Sequence, residues 1–401
     1  MHAHDDDLIR FRQEVSDWIV ANKPLKPDFI LPDSFMEVGT DQQFAFLKDW
    51  QQKVYEAGYL GMSWPAVYGG RGKPQIYQDI ADEEMARHRA PFMVNTIGLN
   101  WAGPLILHSG TEQQKQRYVK KILTCEEIWA QGFSEPDHGS DLSNVQLKAV
   151  RDGDDYVLNG SKIWTSLGTY AKHMILLART SPDKNSRYAG LSFFLAPMDI
   201  EGIEVVPIQK MTGEYGFAQT FFTDARIPAS CMMGNEGEGW MVAMMTLQFE
   251  RGAEGGQAGG LMICELEVAD VIDMAKKAMR AGKPAIEDPF IRDQIVQHLM
   301  EERALELNAI RAEIPALVSE RPMAIPMSHK LTAGEFRRRL CQFALSLQGA
   351  NAVRYMGDKH AIDEGYWQRL YLNAFSGTIG GGTSEIQRNI LGERILGLPK
   401  G

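Results

Sequence analysis

The sequence is short of cysteine, has no excess of basic charge and contains no long apolar run, and each shortage removes a class of function. Its four cysteines, Cys125, Cys231, Cys264 and Cys341, stand far apart with neither a Cys-x-x-Cys pair nor zinc-ligand spacing. That argues against a disulfide framework and a metal site, and a reducing cytoplasm is expected. Lys and Arg number 42 against 52 Asp and Glu, a formal net charge of −10. No basic face is offered to nucleic acid, so any phosphate-bearing ligand has to be held by local donors. No apolar stretch reaches the roughly 18 residues of a membrane span. The N-terminus, Met1-His2-Ala3-His4-Asp5-Asp6-Asp7, is acidic where a secretory signal is basic. What is present is 44% apolar residues over 401 positions, enough for a sizeable core in two or three domains, or one domain built in layers.

Up to residue 128 the apolar positions recur at helical spacing, as in Leu8, Phe11, Val15 and Trp18 or Phe44, Leu47, Trp50 and Val54. Further helices are predicted over 75–88, 98–109 and 112–122. Between 129 and 235 the pattern shifts to short β-branched and aromatic runs, with Asp152-Gly153 and Asn159-Gly160 as hairpin-type turns between successive strands. More strands are expected at 173–180, 191–197, 203–210 and 218–222. From Gly237 the helical period returns near 239–281, 290–319, 327–356, 363–375 and 383–395, with Pro322 and Pro326 marking a break. The layout predicts an α+β fold of three domains: helices over 1–128, an antiparallel β-domain over 129–235 and a C-terminal four-helix-type bundle over 236–401.

Two segments carry the chemistry. Gln131-Gly132-Phe133-Ser134-Glu135-Pro136-Asp137-His138-Gly139-Ser140-Asp141 is a polar loop entering the sheet, and Asn159-Gly160-Ser161-Lys162-Ile163-Trp164-Thr165-Ser166 ends in an indole beside two hydroxyls. Alone, the first reads as an ordinary loop and Trp164 as a core aromatic. Together they offer backbone amides, hydroxyls and a flat apolar wall. An isoalloxazine, apolar along one edge and polar along the other, needs that combination.

These segments resemble the acyl-CoA dehydrogenase family, whose flavin loop reads close to T/S-E-P-x-x-G-S-D and whose second flavin segment reads close to N-G-x-K-x-W-x-T/S. The resemblance runs along the whole chain: Trp64-Pro65 through Tyr68-Gly69-Gly70, Gly237-Glu238-Gly239-Trp240, and Gly382-Thr383-Ser384-Glu385-Ile386-Gln387-Arg388. It implies FAD as cofactor, with Phe133 and Ser134 at the pyrimidine side of the ring and Trp164, Thr165 and Ser166 completing the pocket. Ser140 falls among the cofactor and substrate contacts, and Thr383, Ser384 and Glu385 match the loop that touches the dinucleotide. The Gly-Gly-Gly-Thr-Ser run independently suggests free N–H groups at a helix start. Gly382 and Arg251 match positions near the acyl-CoA; Arg251 reads equally as a solvent-side partner of Glu254.

The chain departs from the family where the commoner catalytic glutamate stands, just before Gly-Thr-Ser. Here that position is Gly381, which cannot abstract a proton. A minority branch, similar to isovaleryl-CoA dehydrogenase in this feature, carries its glutamate on the first helix of the C-terminal bundle before an arginine, and Phe249-Glu250-Arg251-Gly252 matches it. Glu250 is therefore the expected base, with Glu254, one turn on, as its competitor. Gly252, Gly255, Gly256, Gly259 and Gly260 crowd the same stretch at about 1 kcal/mol each in a helix. Close helix packing or room for a wide acyl group would account for them. The Arg280-Ala281-Gly282-Lys283 and Leu347-Gln348-Gly349-Ala350 segments keep the family's trans-subunit FAD contacts poorly. The resemblance implies dehydrogenation of an acyl-CoA to the trans-2-enoyl-CoA, with a bulky, branched or ring-bearing acyl group as in steroid-type members. It also implies an electron-transferring flavoprotein as acceptor and a homodimer, homotetramer or heterotetramer with a related subunit. An acyl-CoA oxidase using dioxygen and a non-catalytic partner subunit are the competing readings.

Overall fold

The computed structural model describes residues 2–181, 188–250, 266–312, 314–318 and 324–400, and the chain divides into two compact units, Met1–Cys264 and Glu265–Gly401. The first unit opens with helices α1 (His2–Asn22), α2 (Asp41–Glu56), α3 (Gln75–Arg87), α4 (Gly103–Ser109) and α5 (Glu112–Leu123). Two of them start by the same device. Thr40 Oγ1 accepts the Gln43 amide at 3.3 Å while Gln43 Oε1 accepts the Thr40 amide at 3.2 Å. Thr111 and Gln114 repeat the exchange at 3.2 and 3.0 Å. Each box satisfies amides that a helix start leaves unpaired. Beyond the caps, Leu47, Trp50 and Val54 of α2 share one core with Val15 and Ile19 of α1 and Val119 and Ile122 of α5, as the helical spacing predicts.

The sheet follows: β1 (Trp129–Gly132), β2 (Lys148–Asp152), β3 (Asp155–Ser166), β4 (His173–Arg179), β5 (Leu191–Pro197), β6 (Ile203–Gln209), β7 (Tyr215–Pro228) and β8 (Met232–Met233). Its order is β6-β7-β3-β2-β4-β5-β8, with β1 beside β4. The strands linked by turns pair antiparallel as predicted, and β1 adds a parallel neighbour, Trp129 to Gly132 against His173 to Leu176. A long connection rather than a tight turn joins β1 to β4, and only such a connection permits parallel pairing. Along β4, Ile175 and Leu177 enter the core shared with the helices while Met174, Leu176 and Ala178 enter a second core on the opposite face. Burial on both faces accounts for its unbroken apolar run.

One predicted turn is absent. Asn159 and Gly160 lie inside the single strand β3, at a register shift against β7. The Asn159 side chain accepts the Asp224 amide at 3.0 Å and donates to the Asp224 carboxylate at 3.0 Å. An Asn-Gly pair that reads as a hairpin here lies opposite a bulge of β7, where Thr223 and Asp224 face Asn159 alone, and its polar side chain is satisfied across the ladder.

The first unit closes with α6 (Gly239–Glu250), packed against β5 and against a π-helical turn at Gly98–Ala102. The second contains α7 (Val268–Lys277), the hairpin β9 (Met279–Arg280) and β10 (Lys283–Pro284), and helices α8 (Pro289–Ala312), α9 (Ala324–Leu347), α10 (Tyr366–Ala374) and α11 (Ser384–Ile390). The helical run expected over 239–281 thus ends in a hairpin, because Ala281 and Gly282 take φ of 49° and 79°, the left-handed pair of a tight two-residue turn. Val271, Met274, Phe336, Leu340, Trp367 and Leu370 form the core of this unit.

A charged cluster ties the helical layer to the sheet. Glu127 accepts from Arg117 and Lys121 of α5 at 2.8 and 2.9 Å and lies 3.1 Å from His173 Nε2 of β4. Burial pushes the Glu127 pKa up, but hydrogen bonds from His173, Lys121 and Arg117 outweigh it and bring the carboxyl down to about 2. The contribution is complete above the ordinary glutamate pKa of 4.5 and is lost as pH falls through about 2. Glu127→Gln should lower the unfolding free energy at neutral pH by about 1–2 kcal/mol. Thermal or urea unfolding of both proteins from pH 7 to pH 2 should show that difference shrinking as the solution is acidified.

Candidate functional site

Phe133 and Ser134 follow β1 directly, and a tight backbone exchange shapes the loop after them: Glu135 and His138 each donate an amide to the other's carbonyl at 3.1 Å. The Phe133 ring is buried, edge-on to Phe193 of β5 at 5.9 Å and 84°. Ser140 is exposed just before Asp141, whose carboxylate accepts from Ser143 Oγ at 3.1 Å and Asn144 Nδ2 at 2.5 Å.

The loop meets β3 at an irregularity. Lys162 pairs with Thr220 of β7 and Thr165 with Ala218, so Ile163 and Trp164 together oppose a single β7 residue. Such a bulge turns a side chain away from the face that alternation assigns to it. Trp164 takes φ of 60° and is 55% exposed, with Phe217 edge-on at 5.9 Å, whereas Thr165 and Ser166 are buried. Ser134 carbonyl oxygen accepts the Ile163 amide at 2.9 Å, which binds the loop to the bulge. Phe133, Ser134, Trp164, Thr165 and Ser166 are thereby brought into one neighbourhood. The Thr165 hydroxyl accepts from Thr220 Oγ1 at 3.3 Å.

Beneath this surface lies a polar node that the sequence did not reveal. Lys162 is fully buried, its Nζ donating to the Phe133 carbonyl at 3.0 Å and to Glu135 Oε1 at 2.8 Å. Glu135 also accepts the Gln146 and Leu147 amides at 2.6 and 2.8 Å. Burial drives the Lys162 ammonium down to about 8, against the raising pull of Glu135. Three further donors went unread: Gln131 Nε2, two residues before Phe133, and Asn100 Nδ2 and Trp101 Nε1 on the π-helical turn are buried with no hydrogen-bond partner among the described residues. A π-turn recurs at functional sites, but helical spacing carries no signal for it.

Glu250 is the last residue of α6. It follows the buried Ala243 by seven positions and the buried Thr246 by four, and its neighbour Phe249 belongs to the same core cluster as Phe133 and Phe193. The start of that helix explains its glycines. A Cβ on Gly239 would fall 2.4 Å from the Ser192 carbonyl carbon of β5, and Ser192 Oγ accepts the Gly237 amide at 3.0 Å. Arg251, Glu254 and the glycines at 252, 255, 256, 259 and 260 lie outside the described residues.

In the second unit, Gly381 and Gly382 take φ of 64° and 92°, so a glutamate at 381 would carry a left-handed penalty of about 1–2 kcal/mol. Lys330 of α9 donates to the Gly382 carbonyl, and Gln387 Nε2 donates to that of Gly381 at 2.9 Å. Thr383 Oγ1 caps α11 by accepting the Ile386 amide at 3.2 Å, and Ser384 Oγ donates to Glu335 at 2.8 Å. The Thr383 and Ser384 hydroxyls thus bond to α11 and to α9. Glu385 is exposed, 3.6 Å from Arg388, and α11 is only seven residues long.

The neighbourhood fits a flavin ring. An exposed indole would supply a flat wall, the Phe133 and Ser134 backbone runs beside it, and Gln131 Nε2, without a partner among the described residues, would be a donor for a polar ring edge. Comparison with known proteins agrees over nearly the whole length. The N-terminal, middle and C-terminal domains of acyl-CoA dehydrogenase match residues 33–126, 130–225 and 237–396. The acyl-CoA dehydrogenase IpdE1 of Mycolicibacterium smegmatis is 37% identical over 405 residues, 98% of each chain. Among solved structures, the Tcur3481-Tcur3483 steroid ACAD superposes with a TM-score of 0.78 at 26% identity over 99% of this chain and 98% of that one. The ChsE4-ChsE5 complex from Mycobacterium tuberculosis gives 0.77 at 27% over 98% of both. Three ordered domain matches and a relative of this identity across the full chain make the chain a member of the acyl-CoA dehydrogenase family of oxidoreductases.

Proposed function

We propose that the protein catalyses FAD-dependent α,β-dehydrogenation of a ring-bearing or otherwise bulky acyl-CoA thioester, with Glu250 as the α-proton base. The observation that carries this reading is the exposed Trp164 on its bulge, beside the Phe133 and Ser134 loop, in the same compact unit as the helix that ends in Glu250. Glycine at 381, in a left-handed conformation, supports a base elsewhere. Likeness to a structure described as a steroid ACAD supports the acyl class.

In this scheme Glu250 takes the α-proton of the thioester, leaving an electron pair that becomes the new carbon–carbon double bond as the β-hydrogen departs. FAD, when bound, would supply the hydride acceptor for that hydrogen. Amides beside the thioester carbonyl stabilise the enolate-like charge, and the apolar surroundings of Phe133, Phe193 and Phe249 keep water from competing for the proton. Phe133, Ser134, Trp164, Thr165 and Ser166 hold the ring, with Ser140 as a cofactor and substrate contact. Thr383, Ser384 and Glu385 serve as dinucleotide contacts, and Arg251 and Gly382 as substrate contacts. An electron-transferring flavoprotein reoxidises the enzyme. A second reading, a half-site subunit that works with a related chain, is favoured by one fact: two of the similar structures pair different chains.

Two outcomes test the proposal. Glu250→Gln should keep the yellow colour of bound flavin and slow its bleaching by substrate about 10²–10⁴-fold. Anaerobic stopped-flow absorbance measures this, and normal bleaching there, with loss in Glu254→Gln, would transfer the role. A panel of acyl-CoA thioesters in the same assay should reduce the flavin fastest with ring-bearing acyl groups. Faster reduction by straight chains would overturn the substrate class, and a colourless protein that turns yellow only when co-expressed with a relative would favour the half-site reading.

A further inference from the structure

The most costly arrangement near the candidate site is the one the reaction scheme does not use. An ammonium and a carboxylate, Lys162 and Glu135, sit 0% and 7% exposed. Taking such a pair out of water is repaid only by good geometry and further hydrogen bonds, and well-packed apolar residues often serve a core as well or better. The geometry here is specific. Lys162 Nζ holds the Phe133 carbonyl at 3.0 Å and Glu135 Oε1 at 2.8 Å, while the Glu135 oxygens collect the Gln146 and Leu147 amides. The start of the loop, its far end and strand β3 therefore meet at one point. Arg179 of β4, a further charge near this node, holds the Val145 and Ser143 carbonyls at 3.0 and 3.1 Å. Directly after Lys162, the bulge releases the Ile163 amide to Ser134 and turns Trp164 outward.

We infer that the Lys162 and Glu135 pair is a positioning device for the flavin pocket, fixing the distance between the Phe133 and Ser134 backbone and the Trp164 indole. The inference rests on the reading that these residues line the ring pocket. Lys162 is a positioning residue, since it acts through the Phe133 carbonyl and Glu135. Rigid support of this kind decides whether a binding constellation keeps its productive spacing.

The test separates positioning from support of the core. Purified holoprotein is compared for wild type, Lys162→Met, the double variant Lys162→Met with Glu135→Gln, and Trp164→Ala. Three quantities are measured: the FAD dissociation constant by equilibrium ultrafiltration, the fine structure of the visible flavin band at saturating FAD, and the melting temperature. Lys162→Met should weaken FAD binding by about tenfold or more and blur the band, with a lowered melting temperature because Glu135 is left buried without its counter-charge. The double variant removes that lone charge, so it should recover the melting temperature while FAD affinity and band shape stay impaired. Recovery of all three, or wild-type FAD binding in Lys162→Met, would reduce the pair to a core support and overturn the inference. Unchanged affinity and spectrum in Trp164→Ala would instead overturn the ring-pocket reading on which it rests.

Discussion

The structure around the candidate site depends on a mismatch of one residue between two strands. Between Lys162 and Thr165, β3 supplies two residues where β7 supplies one. A regular ladder would send Trp164 to the same face as the buried Lys162. The bulge instead leaves Ile163 with an amide for the Ser134 carbonyl and places an indole at the surface in a left-handed conformation. That conformation is uncommon for a bulky residue and persists only where the surroundings fix it. The Ser134 bond, the Phe217 contact and the Lys162 node are those surroundings.

Around this point the layers have distinct tasks. Strands β4 and β5 are buried on both faces, which makes them a rigid floor. Glu127 fastens that floor to α5 through three partners, and Gly239 lets α6 begin in contact with Ser192. The helix that ends in Glu250 is thus aligned by its first turn against the same strand that supports Phe133. A proton acceptor needs fixed geometry before it needs basicity, and a helix seated on a two-sided sheet can provide it.

Much of this was legible in the sequence. Helical spacing placed α3 and α5 nearly to the residue, and the motifs singled out Phe133, Ser134 and Trp164. The exposure of Trp164 was not legible, because a bulge is a property of two strands and the sequence of one cannot state what the other lacks. Asn159-Gly160 misled for the same reason: its turn signal is local, while its partner, Asp224, is 65 residues away. A lysine in a strand reads as solvent-facing by default, and only the tertiary contact with Glu135, 27 residues earlier, makes Lys162 a core residue. In the second unit the glycines at 381 and 382 were read for what they expose, and the structure adds what they permit, a left-handed loop held by Lys330 and Gln387.

The central claim is that the carboxylate at the end of α6 removes the α-proton. A 3-thia acyl-CoA analogue isolates that step, since sulfur at the β-position has no hydrogen to give and only the proton transfer remains. With holoprotein in D₂O, proton NMR of the analogue should show its α-hydrogens exchanging in the presence of wild type and remaining intact with Glu250→Gln. Exchange at the wild-type rate in Glu250→Gln would contradict the account.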